Sequence, residues 1–122
     1  MDEKGYKKNI INKMKEVNTY NKSFDHAINV LARTLSDYER TIDKFEDLGG
    51  SIVIKHTNKN GSTNIVKNPL YQAIEKLRDD ILSYSKELGL TPAGLKKLND
   101  ELGKNSQRSK LEIVLSEFSR DE

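Results

Sequence analysis

The side chains best suited to chemistry in this chain are lysines and asparagines, which bind anions, rather than nucleophiles or metal ligands. Lys96, Lys97 and Asn99 fall within a predicted helix, on the side away from its leucines. A helix carrying such donors can hold DNA phosphates and reach base edges from the major groove. The predicted turn between this helix and the preceding one is also typical of helical proteins that do not bind DNA. DNA binding is therefore one interpretation of this helix.

Groups typical of catalysis are sparse. The two histidines, His26 and His56, are far apart in sequence, and neither stands with acids at metal-ligand spacing. The adjacent acids in Glu46-Asp47 and Asp79-Asp80 point in different directions on a helix. No glycine-rich phosphate-binding loop or dinucleotide fingerprint is present in the sequence. We therefore predict no catalytic residue, no metal site and no cofactor.

Basic and acidic segments alternate along the chain. Residues 1–22 and 51–68 each carry an excess of three positive charges, whereas residues 23–50 carry an excess of three negative charges. Such alternation can steer a polyanion to one face, let copies of the chain meet with opposite charges, or simply solvate the surface. The further candidates for DNA contact are Lys55, Lys59 and Lys67 in the second basic segment, then Lys7, Lys8, Lys13 and Lys15 in the first.

The elements that would position these lysines are mostly helices. Residues 6–20 place Tyr6, Ile10, Met14 and Val17 at helical spacing, and Ser23 is a suitable N-cap for a second helix ending at the Gly49-Gly50 pair. Apolar residues in that second helix follow a heptad pattern, which predicts packing in a bundle or between subunits. This seam consists of Phe24, Ile28, Leu31, Leu35, Tyr38, Ile42 and Phe45.

A β-hairpin and a helical corner follow. The extended runs 51–56 and 64–67, with a turn-rich loop between them, predict a hairpin over about 51–67 that leans on the helices or on a neighbouring subunit. Asn68-Pro69 begins a helix that ends at Gly89, and Thr91-Pro92 begins the next after one intervening residue. So short a link predicts a steep, helix-turn-helix-like corner.

These elements predict a mainly α fold: a helical bundle with long antiparallel helices, a small β-hairpin between them and the corner. We expect residues 1–102 to form one oligomerisation and DNA-binding domain, since its core is thin for a free monomer. Residues 103–122 have the composition of a flexible linker followed by a short helix. That helix is too short to be stable alone in water, so we expect it to dock on a partner through Leu111, Leu115 and Phe118.

The composition also indicates the compartment in which the protein acts. It contains no cysteine, and no apolar run approaches the roughly 18 residues of a membrane span. The N-terminus lacks the apolar core of a signal peptide. We therefore expect a soluble protein that is not exported and has no membrane partner.

The stretch Gly61…Asn68-Pro69-Leu70…Leu88-Gly89-Leu90-Thr91-Pro92-Ala93 resembles the small terminase subunits of tailed bacteriophages, over roughly residues 55–100. The resemblance implies a non-catalytic protein of the host bacterial cytoplasm that assembles into a homo-oligomeric ring. It also implies binding to double-stranded, concatemeric viral DNA at the packaging-initiation region. The large terminase subunit, an ATPase and nuclease, would be recruited or regulated by this chain. After Ala93 the chain has Gly94, Lys96 and Lys97 where related sequences carry serine and arginines, and lysine lacks the planar fork for bidentate base contacts.

Two other interpretations fit the same residues. A dimeric helix-turn-helix transcription regulator would use the corner to read a short palindromic site. A helical adaptor that binds only protein would use the heptad seams and would bind no DNA even at low salt.

Overall fold

A computed structural model describes residues 1–101, 111, 114 and 115. Its elements are α1 (Glu3–Glu16), α2 (Asp25–Asp47), β1 (Val53–Thr57), β2 (Thr63–Lys67) and α3 (Pro69–Glu87). Residues 92–101 are also helical, and this segment is called α4. The predicted fold class is confirmed: the protein is mainly α-helical, with a small antiparallel hairpin between two long helices. Among the described helices, none is long and apolar enough to span a membrane.

The first helix begins and ends earlier than predicted. The Asp2 side chain accepts a hydrogen bond from the Gly5 amide (2.8 Å), so the helix starts at Glu3. Asn18 adopts a left-handed conformation (φ 59°), and the Thr19 amide donates to the Met14 carbonyl (2.9 Å). This turn stops the helix after Glu16. The expectation of a helix through residue 20, with Val17 on its buried stripe, is therefore wrong.

The start of α2 also differs from the prediction. Asn21 accepts a hydrogen bond from the Ser23 amide (2.9 Å) and caps a short 3-10 turn, Lys22–Phe24. The N-cap position of α2 itself is Phe24, which makes no side-chain capping bond. Ser23 is thus not the N-cap, because the 3-10 turn supplies the entry into α2 instead.

The core lies where α1 and the first half of α2 meet the end of α3. Met14, Ile28 and Leu31 are buried there together with Leu88. Farther along, Arg78 Nε donates to Tyr38 Oη (3.1 Å), and the Phe45 and Tyr71 ring centroids are 5.8 Å apart. From Tyr38 to Phe45 along α2, the contacting residue on α3 moves back from Arg78 to Tyr71. The two helices are therefore antiparallel.

Polar contacts fix α1 on α2. Tyr6 Oη donates to Glu39 (2.7 Å), and this hydrogen bond, together with the nearby N-terminal ammonium, lowers the pKa of the Glu39 carboxyl. Arg33 also lies 3.7 Å from Glu3. With its inner face held by Tyr6 and the apolar core, α1 must present its other face to solvent.

The hairpin is attached to the helices at its base. Strand pairing runs from Val53 opposite Lys67 to Thr57 opposite Thr63. Asn68 accepts from the Leu70 amide (3.0 Å), capping α3, while its side-chain amide donates to the Ser51 carbonyl (3.0 Å). The Asn-Pro pair therefore joins the start of α3 to the root of the hairpin. Every residue of both strands is exposed.

Candidate nucleic-acid interface

The predicted corner between α3 and α4 is tightly built. Gly89 is left-handed (φ 71°), as expected for the residue that ends α3, and the Leu90 amide donates to the Ser85 carbonyl (2.8 Å). Thr91 Oγ1 accepts from the Gly94 amide (3.1 Å) and so caps α4. Leu98 packs beneath the turn and is buried.

Gly94 is the residue at this corner that sequence reasoning missed. A Cβ atom placed on Gly94 would lie 2.1 Å from the backbone oxygen of Lys86, far inside contact distance. The α4 backbone therefore crosses the last turn of α3 at a distance that only glycine permits. A glycine one turn after a helix cap was the available signal.

The outer side of α4 carries mixed charge. Lys96, Lys97 and Asn99 are all exposed, as a DNA-contacting helix requires. Asp100 and Glu101 are exposed on the same ten-residue segment, so the lysine and carboxylate charges on α4 cancel. Lys97 also lines the cleft between α3 and α4 together with Glu87 and Glu101. The potential that α4 presents to a phosphate backbone is correspondingly weak.

The solvent side of α1 is a more concentrated basic surface. Four lysines line one shallow depression, together with Ile11 and Asn12. They recur at helical spacing and so project from one side of α1. We call this surface the α1 lysine face; its lysines are Lys4, Lys7, Lys8 and Lys15. Lys15 Nζ also lies 5.4 Å from the centroid of the Tyr20 ring.

Two details of this face depart from the sequence interpretation. Lys4 was not among the predicted DNA contacts. The N-cap signal of Asp2, and the four-residue spacing from Lys4 to Lys8, would have revealed it. Lys13, which was predicted with the others, instead lines a separate depression beside Tyr6 and Leu35.

The hairpin lysines do not form one group. Lys55 and Lys59 are exposed on the first strand and in the turn. Lys67 forms an ion pair with Glu75, and its Nζ lies 5.5 Å from the Tyr71 ring centroid. Lys67 is thus engaged within its own subunit, at the hairpin root, and Lys55 and Lys59 supply the accessible charge.

The heptad seam of α2 packs inside one subunit. Ile28, Leu31 and Phe45 are buried, Ile28 completely. The remaining seam residues are half-buried, with Phe24 and Leu35 against the core and Tyr38 on Arg78. The half-buried members are Phe24, Leu35, Tyr38 and Ile42. The seam therefore has little apolar surface left for another copy.

The predicted docking residues of the tail and the two histidines lie at the surface where the structure describes them. Leu111 and Leu115 are helical and exposed, whereas Phe118 lies outside the described residues. His26 and His56 are both exposed. Within the described part of the chain, no group of three or more histidine or acidic residues is placed to hold a metal ion.

One comparison with known protein families covers most of the chain. The family model described as phage terminase, small subunit, matches residues 7–105, from the first turns of α1 past the end of described α4. No curated protein and no solved structure matches the chain. Because the matched region takes in the helices, the hairpin and the corner, the chain belongs to the phage terminase small-subunit family and has a role in phage DNA packaging.

Proposed function

We propose that the chain is the DNA-binding, non-catalytic member of a terminase. It assembles as a homo-oligomeric ring and binds double-stranded, concatemeric viral DNA at the packaging-initiation region. It then recruits or regulates the large terminase subunit, the ATPase and nuclease, in the host bacterial cytoplasm. Family membership supports this role, since the small subunit is generally non-catalytic. The observation that carries the DNA-binding part is the α1 lysine face.

The dimensions and charge of that face suit a duplex. Lys4 and Lys15 are eleven residues apart, which corresponds to about 16 Å along a helix. A duplex of that length carries on the order of ten phosphate charges. Ammonium groups on flexible stems contact phosphates as point charges, without reading the bases. The α1 lysine face is thus suited to holding DNA of any sequence.

We place α1 first among the three candidate sets of DNA contacts. On α4, Asn99 remains a candidate for base edges and Lys96 and Lys97 for phosphates, but the neighbouring acids weaken the attraction of the two lysines for phosphate. In the hairpin, Lys55 and Lys59 are exposed and form no ion pair with another described residue, whereas the exposed Lys67 is paired with Glu75. In this scheme residues 1–102 form the oligomerisation and DNA-binding domain, as predicted from the sequence.

Salt titration of duplex binding tests the proposal. Measured by fluorescence anisotropy, log affinity should fall linearly with log salt, with a slope of about 0.9 for each phosphate contact. A duplex from the packaging-initiation region should bind more tightly than an unrelated duplex of equal length. Lack of binding even at low salt would leave a protein-only adaptor as the better interpretation.

The C-terminal segment is proposed to dock on the large subunit. Leu111 and Leu115 are exposed, and the family match ends at residue 105, before this segment begins. Deleting residues 110–122 should leave assembly and DNA binding unchanged while weakening capture of the purified large subunit. Mass measurement and a pull-down check the two parts separately. Loss of assembly in the truncated chain would show instead that the segment belongs to the oligomeric core.

A further inference from the structure

Exposed apolar side chains are concentrated at the hairpin. Ile52, Val53 and Ile65 are 50%, 51% and 72% exposed, and Ile54 and Val66 are more than a third exposed. Because Lys55 pairs with Ile65, and Ile54 with Val66, apolar residues occupy both faces of the hairpin. A two-stranded hairpin is marginal in water, and a clustered apolar surface is typical of a protein contact.

The charge of the hairpin restricts what can cover it. Residues 51–68 contain three lysines and no acid. Since Lys67 is already paired with Glu75, Lys55 and Lys59 are the cations left to meet a partner. Two such hairpins packed face to face would bring like charges together, which disfavours that arrangement. The complementary surface must combine apolar area with carboxylates.

The end of α2 provides both properties. Leu48 is 69% exposed, and the last turns of α2 before it carry the exposed carboxylates of Asp43, Glu46 and Asp47. None of these three carboxylates takes part in an ion pair with another described residue. We call Asp43, Glu46, Asp47 and Leu48 the acidic end of α2.

We infer that the β-hairpin of one copy packs on the acidic end of α2 in a neighbouring copy. This interface rests on the proposed homo-oligomeric assembly and names the surfaces that form it. The hairpin face that carries Val53 and Ile65 covers Leu48, while Lys55 on the same face and Lys59 in the turn lie against the carboxylates. It also assigns the hairpin to subunit contact rather than to DNA.

The position of the two surfaces favours closure. Only three residues separate Leu48 from Ile52, so the hairpin root and the acidic end of α2 lie at the same end of the molecule. If the hairpin of one copy contacts the acidic end of α2 in the next copy, both copies lie at a similar height along the axis of the assembly. The two copies are then related mainly by a rotation about that axis. A contact of this kind closes into a ring where the rotation returns to the starting subunit, whereas a large axial shift would give a filament.

Charge reversal with rescue tests this interface. The hairpin pair is Lys55→Glu with Lys59→Glu, and the α2 pair is Asp43→Lys with Asp47→Lys. A third variant carries all four changes, and Lys8→Glu with Lys15→Glu on α1 is the control with matched charge change. Native mass spectrometry and sedimentation over a concentration series measure assembly, and circular dichroism confirms that each variant is folded.

Each interface pair should raise the concentration needed for half-assembly by about tenfold or more, because like charges then face each other across the contact. The variant with all four changes should return this concentration to within about threefold of the wild-type value. The α1 control should assemble normally. Ile65→Thr, which keeps a β-branched residue in the strand, should weaken assembly without any change in charge.

Two results would overturn the inference. The first is normal assembly of the hairpin pair, and a loss of DNA binding by that pair would then assign the hairpin to DNA. The second is a variant with all four changes that assembles no better than either pair. A wild-type chain that stays monomeric at every concentration would instead remove the proposed ring itself, and the interface with it.

Discussion

Replacing Lys8 and Lys15 with glutamine is expected to weaken duplex binding on the order of tenfold at moderate salt. Both side chains lie on the α1 lysine face, whose orientation is fixed by the contact of Tyr6 with Glu39 on α2. Loss of each phosphate contact should also lower the salt slope by about 0.9. Fluorescence anisotropy at several salt concentrations measures both quantities.

The matched comparison is the pair Lys96→Gln with Lys97→Gln on α4, which removes the same charge from the corner. Because Asp100 and Glu101 offset these lysines, this pair should reduce affinity less than the α1 pair. Lys13→Gln, on another side of α1, should have the smallest effect. A larger loss from the α4 pair would place the main DNA contact at the corner and contradict the assignment to α1.

Gly94→Ala is expected to destabilise the protein by about 1–3 kcal/mol, the usual cost of overpacking. The added Cβ would meet the Lys86 carbonyl oxygen at 2.1 Å and its carbonyl carbon at 2.8 Å. These are backbone atoms that cannot rotate aside, so α4 would have to move away from α3. Urea or thermal unfolding of the full chain measures the change in free energy.

The sign of the change in unfolding free energy distinguishes overpacking at the helix crossing from the effect of helix propensity. At a helix position without a close neighbour, exchanging glycine for alanine stabilises by about 1 kcal/mol. The control is Ala93→Gly at the adjacent exposed position, which should destabilise through helix propensity alone. A Gly94→Ala protein more stable than wild type would show that α4 does not cross α3 at this distance.

Periodicity in the sequence identified the long helices and the hairpin, but not how their apolar faces are used. The spacing of Ile28, Leu31 and Phe45 is the same whether they pack inside a subunit or between subunits. The structure places them against α1 and α3, so the seam serves the core of one chain. The partner of a heptad seam depends on chain topology, which local periodicity does not specify.

Helix ends were predicted correctly where a single residue type, such as glycine, sets the backbone conformation. They were missed where several nearby residues could each cap or end the helix. Gly89 ends α3 as expected, because its left-handed conformation favours glycine. Asn18 ends α1 in the same conformation, but asparagine is common at many other positions and gave a weaker signal. At α2, both Asn21 and Ser23 are good capping residues, and only the backbone geometry distinguishes their roles.

The candidate DNA surface could be predicted in part. Sequence alone identified Lys7, Lys8 and Lys15, and charge balance marked the N-terminal segment as basic. The carboxylates of Asp100 and Glu101, which lower the rank of Lys96 and Lys97, are already visible in the sequence, whereas only the structure places Glu87 of α3 in the same cleft as Lys97. Electrostatic potential depends on neighbours in space, and sequence spacing gives those neighbours only within one helix.

The most direct test of the account is the native mass of the purified wild-type chain with and without a duplex from the packaging-initiation region. We expect a single closed assembly of many copies that gains the mass of bound DNA at moderate salt and loses it at high salt. A monomer or dimer whose mass is unchanged by the duplex would contradict both the ring and its DNA-binding role.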